Sequence, residues 1–403
     1  METYEVLDST TEEAPGRGRI VLAAVTVVAV AAAVVLLWPR GATPPPASGA
    51  SAVTTQTASL PAPVTASPPA SPASAAGAPI DIAPASEHEG GLPLLPTAFP
   101  ATLDPAAARP LTSWPLTRAV ALFQEYGEHG GGRLFALGED GGLRELAGLD
   151  LAAVSDRDGN LQTALDDTSL SPDGTRAAFA QKDEVVLVEL ATGAVSRLPL
   201  PGFNERVSWR PNGIGLLVEQ DPRVYLMDTR TGVSRRMPYP AWGLVAGGEI
   251  GTDVHRLDAA DGDQPAVLSR WDSSGVRQAS TPVRPPVGTG EWWGTGWLRE
   301  GRVARDVFGA GGPRPYGDVV EAEAVVVLDA ATGATLRSLV FEGFGRWKGC
   351  CAVMGWYDRD TVLVTSGGEH ARLLAWRITD GALFRVGDLP AQMMLSLGIR
   401  GGS

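Results

Sequence analysis

Short apolar runs separated by turn residues recur along the chain beyond residue 110. Residues 168–198 read TSLSPDGTRAAFAQKDEVVLVELATGAVSRL, in which two apolar runs flank Lys182-Asp183 and lie between Pro-Asp-Gly and Thr-Gly turns. Residues 207–237 repeat this order as VSWRPNGIGLLVEQDPRVYLMDTRTGVSRRM. Apolar runs of strand length joined by such turns predict a four-stranded antiparallel meander in each stretch.

The same meander recurs in a fitting copy that begins at Thr112 and in looser copies that begin at Trp242, Trp297 and Trp356. A four-strand unit repeated every 40–50 residues or so is typical of a β-propeller, with one blade per repeat. The runs VVLVEL and AVVVLD show no alternation, as expected of strands covered on both faces, and aromatic residues that end the first strands should wedge between blades. The sequence therefore predicts an all-β, six-bladed β-propeller over residues 111–400, with seven blades or a β-solenoid as alternatives.

One segment of the repeat carries a family resemblance. Leu170-Ser171-Pro172-Asp173-Gly174, followed by Ala177-Ala178-Phe179-Ala180, resembles the L-S-P-D-G repeat of TolB-like and WD40-like (PD40-type) bacterial propellers. The motif is specific in two units, at Ser171 and, as WRPNG, at Trp209. The resemblance implies a six-bladed, extracytoplasmic propeller that contacts other proteins.

The last apolar run, QMMLSLGI at 392–399, follows the final complete unit and has no later strand to pair with. An unpaired blade edge would expose its backbone N–H and C=O groups. We therefore expect this run to close the ring by pairing with the first unit near 118–124.

The N-terminal region predicts a membrane anchor. Residues 20–38 are uncharged and apolar on all sides, and as a helix they would span roughly 28 Å, close to the thickness of a bilayer core. A cleaved signal peptide is the alternative, although its apolar region is normally shorter. Arg17 and Arg19 precede the run and only Arg40 follows closely, so we expect a short cytoplasmic tail (1–19) and an extracytoplasmic propeller.

Residues 39–110 predict a disordered linker. Pro, Ala, Ser and Thr dominate its first half, where prolines such as Pro44, Pro45 and Pro46 exclude helices and sheet ladders. Such a tether would let the folded domain stand away from a membrane and search the cell envelope.

Composition excludes several function classes. The net charge of −13 argues against nucleic-acid binding, since phosphate neutralisation needs a basic face. The sequence holds no HExxH, GxSxG or phosphate-binding glycine loop, and Ser366 lacks the leading glycine of a nucleophile elbow. We therefore predict no catalytic residue and no cofactor.

A calcium loop is the one metal candidate. Asp156, Asp158 and Asn160 alternate, and Asp167 occupies the twelfth position of such a loop. Glycine stands fourth rather than sixth, so a turn between blades is the favoured interpretation.

The only two cysteines, Cys350 and Cys351, are neighbours. Three interpretations stay open: small buried residues of an inner strand, a strained disulfide between neighbours, or pairing with another chain.

Two aromatic clusters are candidates for partner binding: Arg346-Trp347-Lys348, and Trp292 beside Trp293. Exposed tryptophan and arginine dominate binding hot spots, whereas the competing interpretation places these tryptophans between blades. We predict a non-enzymatic, membrane-tethered module that binds an envelope protein or glycan. The alternatives are a propeller enzyme of the lactonase, lyase or cyclase type, or a small-ligand or glycan sensor that uses the central channel.

Overall fold

The computed structural model describes residues 77–127, 131–155, 159, 161–247, 253–258, 265–283, 291–310, 322–341, 351–367, 371–390 and 393–398. In these ranges the chain is nearly all β, with two short 3-10 helices at Ser86–Gly91 and Pro105–Ala107. No helix in this part of the chain is long and apolar enough to cross a membrane. The cytoplasmic tail and membrane helix predicted over residues 1–38 lie outside the described residues.

The strands follow the predicted order of short runs and turns. In chain order they are β1 (Ile80–Ile82), β2 (Arg109–Pro110), β3 (Ala119–Glu125), β4 (Leu134–Gly138), β5 (Leu143–Glu145), β6 (Val154–Ser155), β7 (Leu161–Gln162), β8 (Arg176–Gln181), β9 (Glu184–Glu189), β10 (Ala194–Pro199), β11 (Arg206–Trp209), β12 (Gly215–Gln220), β13 (Arg223–Asp228), β14 (Ser234–Arg236), β15 (Leu244–Gly247), β16 (Val254–Asp258), β17 (Val267–Trp271), β18 (Arg277–Pro282), β19 (Glu291–Arg299), β20 (Arg302–Ala310), β21 (Ala322–Asp329), β22 (Thr335–Phe341), β23 (Val353–Trp356), β24 (Thr361–Ser366), β25 (Arg372–Arg377), β26 (Leu383–Asp388) and β27 (Met393–Leu397).

These strands pair as antiparallel meanders, which we label by letter. Meander A is β27-β3-β4-β5, B is β8-β9-β10, C is β11-β12-β13-β14, D is β15-β16-β17-β18, E is β19-β20-β21-β22 and F is β23-β24-β25-β26. In B, a single bridge between Leu170 and Ala177 takes the place of the first strand. D and E merge into one larger sheet because their first strands, β15 and β19, pair in parallel.

Apolar side chains fill the space between neighbouring meanders. The buried clusters lie between A and B, B and C, C and D, D and E, E and F, and F and A. Each sheet therefore buries both faces, which is why runs such as VVLVEL show no alternation. The contacts return from F to A, so the meanders form a propeller-like ring, as the repeats predict.

The predicted closing strand is confirmed. β27 pairs antiparallel with β3, from Met393 opposite Glu125 to Leu397 opposite Ala121. The last strand thus becomes the first strand of meander A. The pairing of β27 with β3 covers an edge of meander A that would otherwise expose unpaired backbone groups.

The linker prediction is wrong for residues 77–110, which we name the N-terminal strap. β1 pairs in parallel with β22 of E, Leu94 and Thr102 bridge to β26 of F, and β2 pairs in parallel with β5 of A. The strap therefore covers the outermost strands of the three meanders around the closure. Proline does not prevent this, because an added edge strand needs few N–H donors of its own.

The antiparallel order gives the ring two distinct faces. The first strand of each meander begins at one face of the ring, which we call the entry face. The links between second and third strands, and the links from one meander to the next, also lie on this face. First strands end at the opposite exit face, which carries the remaining turns. The parallel pairing of β15 with β19 shows this common direction directly.

Candidate binding faces around the central channel

An arginine bridges the channel at its entry end. Arg206, at the start of β11, donates hydrogen bonds to Asp166 (Nε to Oδ2, 3.0 Å) and to Asp167 (Nη2 to Oδ1, 3.2 Å). Its Nη2 also donates to the hydroxyl of Thr295 in meander E. Ser396 of the closing strand donates from its hydroxyl to the backbone oxygen of Asp167 at 2.9 Å. Side chains from A, B, C and E thus meet at one point.

The electrostatics of this cluster follow from burial and from adjacent charges. Burial alone disfavours the charge on Arg206, but the carboxylates of Asp166 and Asp167 outweigh it and raise the arginine pKa. Burial and the neighbouring Asp166 charge raise the pKa of Asp167 well above its ordinary value. Arg206 is engaged by both carboxylates, so the cluster ties meanders together and offers no unpaired charge to a ligand.

Two exposed tryptophans at the entry face have anchored backbones. Trp242 donates its backbone N–H to Glu219 (2.7 Å), and its carbonyl accepts from Arg256 (3.0 Å). The carbonyl of Trp293 accepts from Arg305 at 3.1 Å. Buried charged side chains therefore fix these backbones, while the two tryptophan residues stay 54% and 55% exposed.

Arg305, which holds the Trp293 carbonyl, and its neighbour Asp306 form a second pair of charged residues with shifted pKa values. Burial lowers the pKa of Arg305 to about 10 and raises the pKa of Asp306 to about 7. Oδ1 of Asp306 accepts no hydrogen bond within the described part of the chain. At 5% exposure, this carboxyl is out of reach of a ligand at the surface.

All strongly exposed aromatic side chains of the described residues lie on the entry face. Tyr126 follows the second strand of A, Phe203 and Trp242 lie in links between meanders, and Trp293 is near the start of β19. Lys182, in the link between β8 and β9, places its ammonium 5.6 Å from the centre of the Phe203 ring. Exposed aromatics gathered on one side of a domain mark an interaction surface.

The exit end of the channel is a bowl of about 290 Å³, lined by apolar side chains and by polar ones such as Arg299 and Glu300. Its walls include Trp209 and Trp356, which end first strands as the sequence predicts, and Trp297, which lies two residues before the end of β19. Each indole N–H donates to a neighbouring meander: Trp209 to the oxygen of Ser169 (2.9 Å), Trp297 to Val353 (2.9 Å) and Trp356 to Trp297 (2.8 Å). These rings wedge between meanders and shape the bowl.

The predicted partner site needs one correction. Trp292 packs in the apolar cluster between D and E and is only 7% exposed, so the expectation that it contacts a partner is wrong. Its neighbour Trp293 points outward instead, since adjacent strand residues face opposite sides. Arg346, Trp347 and Lys348, in the link between β22 and β23, lie outside the described residues.

The remaining candidates have mixed outcomes. Asp156, Asp158 and Asn160 lie outside the described residues, and Asp167 pairs with Arg206. Among the described residues, no group of His, Cys, Asp or Glu side chains could hold a metal ion. Ser366 is buried and donates its hydroxyl to Glu89 of the strap at 2.6 Å, which is a structural contact.

Cys351 is both buried and disulfide-bonded. Burial and disulfide formation, which the sequence analysis treated as alternatives, therefore occur together at this residue. Cys350, the other cysteine of the chain, lies outside the described residues.

Sequence reasoning missed Trp242, Phe203 and Tyr126 as surface aromatics. A usable signal was present for two of them: Trp242 and Phe203 stand next to prolines and glycines between repeats, where links are expected. The anchoring of Trp242 by Arg256 of β16 and Glu219 of β12 carries no local signal, because it depends on strands of two meanders that lie next to each other only in the fold.

Comparison with known proteins gives structural neighbours only. No family model and no curated protein matches the chain. The similar solved structures include TolB from Acinetobacter baumannii (16% identity, TM-score 0.42, 70% of this chain and 66% of that chain) and the oligogalacturonate lyase in complex with manganese (13%, 0.40, 68% and 76%). The tricorn protease is a third (11%, 0.41, 69% and 30%).

The similar solved structures thus include TolB and also WD40 repeats, the two groups whose repeat the sequence resembles. These neighbours include enzymes and non-enzymes, and their identities to this chain are low, so no activity is transferred from them.

Proposed function

We propose that the chain is a non-enzymatic binding module: a six-bladed propeller, tethered to a membrane by residues 20–38, that captures an envelope protein on its entry face. Six blades would correspond to meanders A to F, each with an apolar cluster on both sides. The uncharged residues 41–76 would let the propeller reach away from the bilayer.

One observation carries the proposal: Tyr126, Phe203, Trp242 and Trp293 are all exposed on the same face. Large rigid aromatic side chains offer contact area at little cost in conformational entropy. The backbone hydrogen bonds that hold Trp242 and Trp293 further reduce the cost of ordering them on binding. A surface whose exposed aromatic residues are preorganised by backbone hydrogen bonds favours recognition of a protein over catalysis.

The test compares variants of the two faces. Trp242→Ala/Trp293→Ala removes exposed aromatics from the entry face. Val233→Ser/Val276→Ser removes apolar side chains that are at least as exposed from turns of the exit face. We expect partners captured from solubilised membranes, identified by mass spectrometry, to be lost with the first pair and kept with the second.

For a purified partner, the entry-face pair should weaken binding by at least about 2 kcal/mol, the usual threshold of a hot spot. The melting temperature should hardly change, because both rings are largely exposed. Equal binding by wild type and the entry-face variant would overturn the proposal.

The enzyme alternative draws on one specific observation, the raised pKa of Asp306. Perturbed carboxyl groups gather at active sites, although structural ion pairs perturb them too. Because the Asp306 side chain is buried, a catalytic role requires the entry face to open. If Asp306→Asn abolished turnover of a substrate by the purified protein, the enzyme alternative would replace the binding proposal.

A further inference from the structure

A second cavity lies between meanders D and E, and we name it the D–E pocket. Its volume is about 480 Å³, and it opens at the exit face, where β16 begins and where the turns after β19 and β21 lie. Meander E contributes one large side chain there, Leu298, and three small residues: Gly301, Ala330 and Ala331. Elsewhere the space between meanders is filled by large apolar side chains, so these small residues leave room for a ligand.

Two opposite charges face this pocket without tight partners. Nε of Arg270 and Oδ2 of Asp253 are 3.7 Å apart, which is longer than a hydrogen bond. Neither side chain makes a hydrogen bond to any residue that the structure describes. Both remain partly exposed, with 49% of the arginine side chain and 38% of the aspartate side chain accessible.

The other walls of the pocket are uncharged. His255 lies directly opposite Arg270 on the neighbouring strand. Burial and the Arg270 charge lower the pKa of His255 to about 4, so its imidazole is neutral near pH 7. Leu268 and Leu298 form an apolar wall. The pocket therefore combines one cation, one anion and an apolar surface.

We propose that the D–E pocket binds a free amino acid with an apolar side chain. The guanidinium of Arg270 would pair with the ligand carboxylate, since its planar donors match a carboxylate well. The carboxylate of Asp253 would accept from the ligand ammonium group. The ligand side chain would lie against Leu268 and Leu298. Arg270 and Asp253, which are too far apart to hydrogen-bond to each other, would then each make a charge-assisted hydrogen bond to the ligand.

Calorimetric titration of the purified full-length chain tests the ligand class with three probes. L-Leucine carries both charges, 4-methylpentanoate carries only the carboxylate, and 3-methylbutylamine carries only the ammonium. We expect saturable binding of leucine and at least about tenfold weaker binding of each analogue, since losing one charge-assisted contact costs roughly that much. Equal binding of either analogue, or no leucine binding up to about 10 mM, would overturn the proposal.

Variants test the location of the site. Arg270→Gln and Asp253→Asn should each weaken leucine binding at least about tenfold, and Ala279→Leu, opposite Arg270, should do so by filling space. Arg230→Gln, which alters an exposed arginine of meander C, is the matched control and should bind as wild type does. Wild-type affinity in both charge variants would place the ligand elsewhere and overturn the proposal. Capture of partners on the entry face is a separate readout, so failure of one proposal is distinguishable from failure of the other.

Discussion

The Ser171–Gly174 turn shows how one short motif holds two meanders together. Asp173 accepts hydrogen bonds from the hydroxyl of Ser171 (2.6 Å) and from the backbone of Thr175 (3.1 Å), which fixes the turn. Gly174 adopts φ +72°, in the left-handed region that favours glycine. A Cβ on Gly174 would come within 2.4 Å of the backbone oxygen of Ala119 in meander A. The glycine is therefore required both by its conformation and by the close approach of a neighbouring backbone.

Substitution of this glycine should be costly. Gly174→Ala should lower the free energy of unfolding by at least about 3 kcal/mol, because left-handed strain adds to a clash with backbone. Gly148→Ala is the matched control, since Gly148 has φ +77° and open space around the new methyl group. The control should cost only about 1 kcal/mol. Urea denaturation measures both, and equal losses would mean that the contact with Ala119 contributes nothing.

At the scale of elements, the N-terminal strap connects meanders by side chains as well as by strand pairing. Asp81 accepts from Arg337 of E (Nε, 2.6 Å) and from the indole N–H of Trp376 in F (2.9 Å). Farther along, the fully buried Glu89 lies 3.5 Å from Arg372 of F. Removing the strap would uncover apolar side chains, take Asp81 away from Arg337 and leave Arg372 with Asp388 but without Glu89.

Two truncations test the strap. Deletion of residues 1–92 removes β1 and the first 3-10 helix, whereas deletion of residues 1–76 leaves the strap intact. We expect the longer deletion to lower the melting temperature by at least about 5 °C, which corresponds to roughly 2 kcal/mol in a domain of this size. The shorter deletion should leave it unchanged. Identical melting curves for the two truncations would show that the strap is dispensable.

At the scale of the whole molecule, the proposed function depends on where the ring stands relative to a membrane. We expect the N-terminus in the cytoplasm and the propeller outside. A reporter that is active only outside the cytoplasm, fused after Ser403, should be active. Changing Arg17 and Arg19 to neutral residues should give mixed orientation, because these two arginines supply the positive-inside bias. Activity confined to a cytoplasmic reporter would contradict this topology.

The sequence by itself determined the features that depend on local patterns. Turn residues such as Pro172-Asp173-Gly174 and the apolar runs between them predict meanders, and the repeat of that pattern predicts a propeller. The last run could be assigned to ring closure because an unpaired strand edge is unfavourable wherever it occurs. The position of Trp209 at the end of a first strand likewise predicted its place between meanders.

Only the tertiary structure decided which side chains are available for binding. Trp292 and Trp293 are adjacent and alike in sequence, yet the first faces a cluster between D and E and the second faces solvent. Most of the strap looked like a linker because residues 80–102 contact strands more than 200 residues away, as between Asp81 and Arg337. The position of Arg270 beside the small residues Gly301, Ala330 and Ala331 of another meander likewise depends on the tertiary fold. Burial, strand addition and the shape of a cavity all depend on which distant segments become neighbours, and a local pattern does not carry that information.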